Sequence, residues 1–190
     1  SELEDLSLMY IEPDDFKKIT EEKKKIEEQK KEYLEEMKYK ISEILKQKNI
    51  SNDILLRTKN ICTTYKKILQ GYKIENIYDL FYLKILVEEV DDCYRTLGLV
   101  HGEYPHINGR LKDYISNPKT NLYQSLHTTV SANSIPTKVK IRTYDMDKVT
   151  AYGVSALWNI KNGMTKEETQ EYIKKHIPFI KVLMEIDENS

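Results

Sequence analysis

The chain has 190 residues, enough to bury a proper core in one ordinary domain with room for a helical extension. Charged residues make up 32% and hydrophobic ones 39%, the balance of a folded soluble chain rather than a disordered one. Lys and Arg number 30 against 31 Asp and Glu, a formal charge of −1 that excludes a global basic field for nucleic acid; no apolar run approaches the roughly 20 residues of a membrane span.

The chain opens on Ser1, with Glu2, Glu4 and Asp5 close behind, which is neither a signal peptide nor a transit peptide. The missing Met and the abrupt start of a charged helix predict a piece of a longer protein. Residues 13–48 read as that helix: Pro13 suits a first turn, and Asp14 and Asp15 favour the positive end of the helix dipole. Its apolar residues, among them Phe16, Ile19, Ile26, Leu34, Met37, Ile41 and Leu45, form a narrow stripe. A connector or docking arm fits that stripe better than a core helix. After Asn49 and Asn52 a second helix is expected over 54–69, stopped by Gly71.

Asp79-Leu-Phe-Tyr-Leu-Lys-Ile-Leu-Val87 reads as a mostly buried strand, followed by a helix from Asp91 to about His101. Residues 105–121 hold turn formers and a short basic segment. Strands over 123–132 and 137–143 are joined by Asn133-Ser134-Ile135-Pro136 as a hairpin; helices over 145–160 and 166–185 close the chain. This order predicts an α+β domain, a small mixed sheet covered by helices, over 49–163. An arm over 1–48 precedes it, and a C-terminal helix over 164–190 follows. Cys62 and Cys93 have neither CxxC nor Cys/His ligand spacing, so free thiols in a reducing cytosol are expected and zinc is not.

Four segments carry polar detail that a core does not need. Lys59, Thr63, Lys66 and Lys67, just after Arg57, would share one helix face and could hold a triphosphate; by itself such a face is more often merely solvated. Asp79, at the start of a buried strand, is in line with Phe81, Leu83, Ile85 and Val87, with Lys84 opposite. A carboxylate there suits Mg²⁺, although Asp before a strand is equally often a turn former. From Gly109 to Thr128, basic residues alternate with Tyr114 and Tyr123, with Asn121 and His127 nearby, so a ring can stack on a base while cations hold phosphates. Finally, Lys138, Lys140 and Arg142 alternate with inward Val139 and Ile141, which also describes an edge strand protected by lysines.

Taken in order, these segments resemble the synthetase domain of the RelA/SpoT homologue family over nearly the whole chain. Gly109 to Thr129 is similar to that family's loop GRFKDYI-x-x-PK-x-NGYQSLHTTV, and Lys140-Ile-Arg-Thr-x-x-Met146 with Ala151-Tyr-Gly-Val-x-Ala156-x-Trp158 to its closing strand and helix. The resemblance implies a nucleotidyltransferase-like fold that moves pyrophosphate from ATP to the 3′-OH of GDP or GTP, giving (p)ppGpp in the cytoplasm. It implies that Arg57, Lys59, Thr63, Lys67 and Lys84 serve ATP, and that Asp79 is catalytic and holds Mg²⁺. It further implies that Tyr123 stacks on guanine with Lys112, Lys119, Asn121, Gln124 and His127 around the nucleotide. It implies an attached hydrolase domain upstream and regulatory domains downstream, with no membrane or nucleic-acid partner.

The sequence departs from that pattern on the ATP side. Where the family has Glu-x-Gln-Ile-Arg-Thr, a metal ligand and base, this chain has Lys138 and Lys140; an ammonium neither ligates Mg²⁺ nor acts as a base at neutral pH. Leu122 replaces a Gly, and Lys84 replaces an Arg that flattens against adenine. Two expectations follow: a working or weakened synthetase, with Lys138 tolerated through another carboxylate such as Glu88 or through direct phosphate contact, or a pseudo-synthetase that binds guanine nucleotide and supports a hydrolase. A coiled-coil adaptor built on residues 13–48 is a third, unrelated class.

Overall fold

In the computed structural model, which describes residues 2–118 and 123–151, the chain opens with two helices, α1 (Glu2–Ile11) and α2 (Pro13–Gln47). Pro13 sits in the first turn of α2, where its missing N–H costs nothing, with Asp14 and Asp15 at the positive end of the dipole. The helix stops where Asn49 turns left-handed (φ 56°) and the Ile50 N–H returns to the Leu45 carbonyl at 2.9 Å. α1 lies inside the arm expected over 1–48, of which only 13–48 reads as a helix from its residues. α2 also departs from the expected arm. Met37, Ile41 and Leu45 in its second half are fully buried as one wall of the main core, while Ile19, Ile26 and Leu34 pack with Ile74, Ile77, Leu80 and Phe81 in a second cluster. The stripe is narrow because only one side is covered, but that side is used along most of the helix.

The helix expected over 54–69 is instead a strand and a shorter helix, β1 (Asn52–Thr58) and α3 (Ile61–Leu69). An Ile-Leu-Leu run suits either state, and tertiary pairing decides: β1 runs antiparallel to β2 (Phe81–Val87) from Asn52 opposite Val87 to Thr58 opposite Phe81. The break falls at Asn60, whose Oδ1 accepts from the Thr63 N–H at 3.0 Å as the N-cap of α3. A short 3₁₀ turn (Ile74–Asn76) leads into β2, and α4 (Val90–Glu103) follows it.

The remaining strands are β3 (Lys112–Asp113), β4 (Leu126–Ala132) and β5 (Ile135–Thr143), and the five form one sheet in the order β1-β2-β5-β4-β3. β2 and β5 are parallel; the other pairs are antiparallel. The β4–β5 connection is two residues, Asn133 and Ser134 at φ 48° and 64°, not the four expected. Ile135 and Pro136 already belong to β5. β2 begins to pair with β5 only at Lys138, so the missing Pro136 N–H leaves no β2 carbonyl without its donor. β5 lies inside the sheet, which overturns its reading as a lysine-protected edge. After it the chain enters a helix, α5, at residue 144, described as far as 151. The rest of the helix expected over 145–160, the one expected over 166–185, and residues 119–122 lie outside the described residues.

α2 and α4 cover one face of this sheet. Leu83, Ile85 and Val87 of β2 and Val139 and Ile141 of β5 point into the core with no exposure. The opposite face of the same two strands carries Tyr82, Lys84, Lys138 and Lys140, and the register sets Tyr82 beside Lys138 and Lys84 beside Lys140. Cys62 and Cys93 are both free and buried, and burial pushes the Cys93 thiol up to about 12, with Asp92 adding to it. Among the described residues no helix is long and apolar enough to cross a membrane.

Candidate functional site

The outward face of β2 and β5 meets the β1–α3 link across a cavity of about 360 Å³, with Lys59 and Thr63 on one side and Asp79, Tyr82, Lys138 and Lys140 on the other. Backbone contacts hold the link in place. The Lys59 N–H bonds the Leu80 carbonyl at 2.8 Å, and the Lys59 carbonyl accepts from the Lys23 ammonium of α2. Asp5 of α1 caps α3 beside Asn60, its two carboxylate oxygens accepting from the Ile61 and Cys62 N–H groups at 3.0 and 2.6 Å.

Asp79 lies in the turn before β2, not in the strand, and so escapes the buried row of Phe81, Leu83, Ile85 and Val87 where alternation had put it. Its Oδ1 accepts from the Lys59 ammonium at 2.6 Å, and its Oδ2 is 3.5 Å from the Lys138 ammonium. Burial pushes its carboxyl pKa up, but the hydrogen bond and charge of Lys59, joined by Lys138, outweigh burial and hold it below the ordinary value. Lys140 rests 3.9 Å from the centre of the Tyr82 ring. Burial, with the charges of Lys138 and Arg142, lowers its pKa to about 8.

Beyond Lys140, Lys84 donates to both oxygens of Asp147 on α5 at 2.8 Å, and Arg142 Nε stands 3.4 Å from the same carboxylate. Arg142 also bonds the Thr150 hydroxyl at 3.0 Å, and its guanidinium lies 5.3 Å from the centre of the Tyr123 ring. The Tyr123 hydroxyl bonds His127 Nε2 at 2.7 Å, and both rings meet Tyr114 edge-on. Lys112 pairs with His127 in the β3–β4 register, while Gln124 donates its amide to the Ile115 carbonyl at 3.2 Å.

Of the residues singled out in the sequence, the fold gathers Lys59, Thr63, Asp79, Lys138 and Lys140 at one cavity, and Tyr123, His127 and Lys112 beside β4. Arg57, Lys67 and Lys84 do not line that cavity: Arg57 sits on β1 opposite Tyr82, Lys67 lies over Tyr72 at 4.7 Å, and Lys84 is held by Asp147. The helix face expected to carry Lys59, Thr63, Lys66 and Lys67 does not form as such, because Lys59 precedes α3. Lys119 and Asn121 lie outside the described residues. Glu88 is no substitute for the missing carboxylate. It follows the far end of β2 while Lys138 pairs at the near end, about 20 Å away along an extended strand. Sequence reasoning missed Tyr82, Asp147 and Asp5. Period-two alternation through Lys84 would have found Tyr82; nothing local marks Asp5.

These residues do not fit a bound divalent cation. Mg²⁺ wants several hard oxygen ligands, whereas here one carboxylate faces two ammonium groups that already take its oxygens. Among the described residues no three Asp, Glu, His or Cys side chains are grouped to hold a metal.

Comparison with known proteins places the chain. The family described as "Region found in RelA / SpoT proteins" matches residues 56–165. The chain is 36% identical over 194 residues to the guanosine-3′,5′-bis(diphosphate) 3′-pyrophosphohydrolase of Spiroplasma citri, covering 98% of this chain and 26% of that protein. It is 36% identical over 157 residues to the GTP pyrophosphokinase rsh of Brucella ovis, covering 82% of this chain and 21% of that protein. It therefore spans about a fifth to a quarter of the length of these relatives. In structure it is similar to the small alarmone synthetase 2 of Bacillus subtilis, with a TM-score of 0.62 at 23% identity, covering 84% of this chain and 95% of that one. The chain belongs to the RelA/SpoT family and has its α+β, nucleotidyltransferase-like alarmone synthetase fold.

Proposed function

We propose that this chain is the nucleotide-binding, (p)ppGpp synthetase-type domain of a longer cytoplasmic protein, with pyrophosphate transfer from ATP to GDP or GTP weakened at Asp79. The observation that carries the reading is the pairing of Asp79 with Lys59 and Lys138. Among the described residues Asp79 is the one carboxylate at the cavity, and it is held by ammonium groups, one of them where the resemblance leads one to expect a Glu. Lys59, Thr63 and Lys140 take the ATP phosphates. Tyr123 and His127, with Lys112, Lys119, Asn121 and Gln124, take the guanine nucleotide. Positioning and charge neutralisation are the main needs of such a transfer. The greater lengths of its relatives, one of them named as a pyrophosphohydrolase, support attachment to further domains, which we read as a hydrolase and regulatory domains.

The test is a synthesis assay with ATP, Mg²⁺ and GDP, resolving the tetraphosphate product by chromatography. The expected result is slow turnover, raised by about tenfold or more in Lys138→Glu. Fast turnover by the unaltered chain overturns the weakening. A second reading, a pseudo-synthetase that binds guanine nucleotide to regulate an attached hydrolase, is favoured by the same saturated carboxylate. It gains if neither protein turns over while both bind GDP.

A further inference from the structure

Lys138 does more than remove a carboxylate. Lys138 and Lys140 are successive outward positions on β5, and Lys59 approaches them from the β1–α3 link, so three lysines line the cavity with Asp79, two of them paired with its carboxylate. Among the described residues the lining keeps a net positive charge after the pairing of Asp79. The Lys59 and Lys138 side chains are 16% and 21% exposed, open enough to meet a ligand and buried enough to escape most screening. Thr63 adds a hydroxyl donor on the opposite wall.

We infer that the cavity takes a polyphosphate in its metal-free form, the Lys138 ammonium supplying from the chain itself the positive charge that a divalent cation would otherwise bring. This rests on the nucleotide-binding reading above and names the ionic form of the ligand. Free polyphosphate carries its full negative charge to the three ammonium groups. Bound Mg²⁺ cancels part of that charge and sets a cation against Lys138, so metal loading opposes binding here. Lys138 stands beside Tyr82 by register, with its Nζ 3.5 Å from Asp79 Oδ2.

The experiment is calorimetric titration of the 190-residue chain with tripolyphosphate and with ATP, in EDTA and in excess Mg²⁺ at matched ionic strength. The expected result is a Kd about tenfold or more lower in EDTA than in Mg²⁺. Lys138→Gln shrinks that ratio, and Lys138→Glu reverses it. Equal binding, or tighter binding with Mg²⁺, overturns the inference while leaving the nucleotide-binding reading in place. Absence of binding in both conditions overturns both. The comparison on the unaltered chain needs no substitution, so a variant that fails to fold does not remove the decision.

Discussion

Lys84 on β2 and Asp147 on α5 form a two-point contact, the ammonium donating to both carboxylate oxygens at 2.8 Å. Both side chains are mostly buried, and Arg142 leans on the same carboxylate from β5 at 3.4 Å. One acidic residue thus offsets two cations on adjacent strands and fixes the start of α5 against the sheet. Asp147→Asn leaves Lys84 and Arg142 uncompensated and is expected to cost about 3 kcal/mol in urea denaturation. An unchanged midpoint would mean that solvent already carries those charges.

Lys140 is expected to weaken the native state at neutral pH. Its pKa falls from 10.5 to about 8 through burial and the charges of Lys138, Arg142 and Lys59, with Asp79 opposing. Between these values the unfolded chain binds more protons than the folded one, so the unaltered protein gains stability as pH rises from 8 towards 10.5. Lys140→Met should therefore stabilise by on the order of 2 kcal/mol at pH 7. The gain should fade across that window, and a gain independent of pH would assign it to packing instead.

Asp5 joins α1 to α3 by accepting two backbone N–H groups, at Ile61 and Cys62. Asp5→Ala should cost about 1 kcal/mol, the usual value of a lost cap. Faster amide exchange at Ile61 and Cys62, with little change in β4, is the local signature to seek.

The β4–β5 turn holds Ser134 at φ 64°, a conformation that costs a residue with a Cβ. Ser134→Gly creates the Asn-Gly pair that such turns favour, and should raise stability by about 0.5–1 kcal/mol without altering polyphosphate affinity. A loss of stability would show that the Ser134 side chain makes a contact worth more than the strain.

The long helix, the hairpin and the inward alternation of Val139 and Ile141 were legible in the sequence because each rests on a local pattern: capping residues, turn formers or a period of two. β1 was not, since Ile54-Leu55-Leu56 satisfies helix and strand alike, and only pairing with β2 separates them. At the site, Asp79 and Lys138 stood out as residue types, but their ion pair depends on parallel strands meeting across more than fifty residues of chain. Asp147 and Asp5 were illegible for the same reason. A carboxylate on a charged helix looks like any other until the fold shows what it faces.

The alternation along β5 also bears on how such a domain evolves. Val139 and Ile141 hold the core while Lys138 and Lys140 face the cavity, so one short strand meets two separate physical demands. Mutation can rewrite the outward row, even reversing its charge, while folding pressure continues to preserve the inward one. A lineage relieved of catalysis would keep this architecture long after the reaction had gone. Its descendants would then be told apart by the charges of alternate residues and not by their shape.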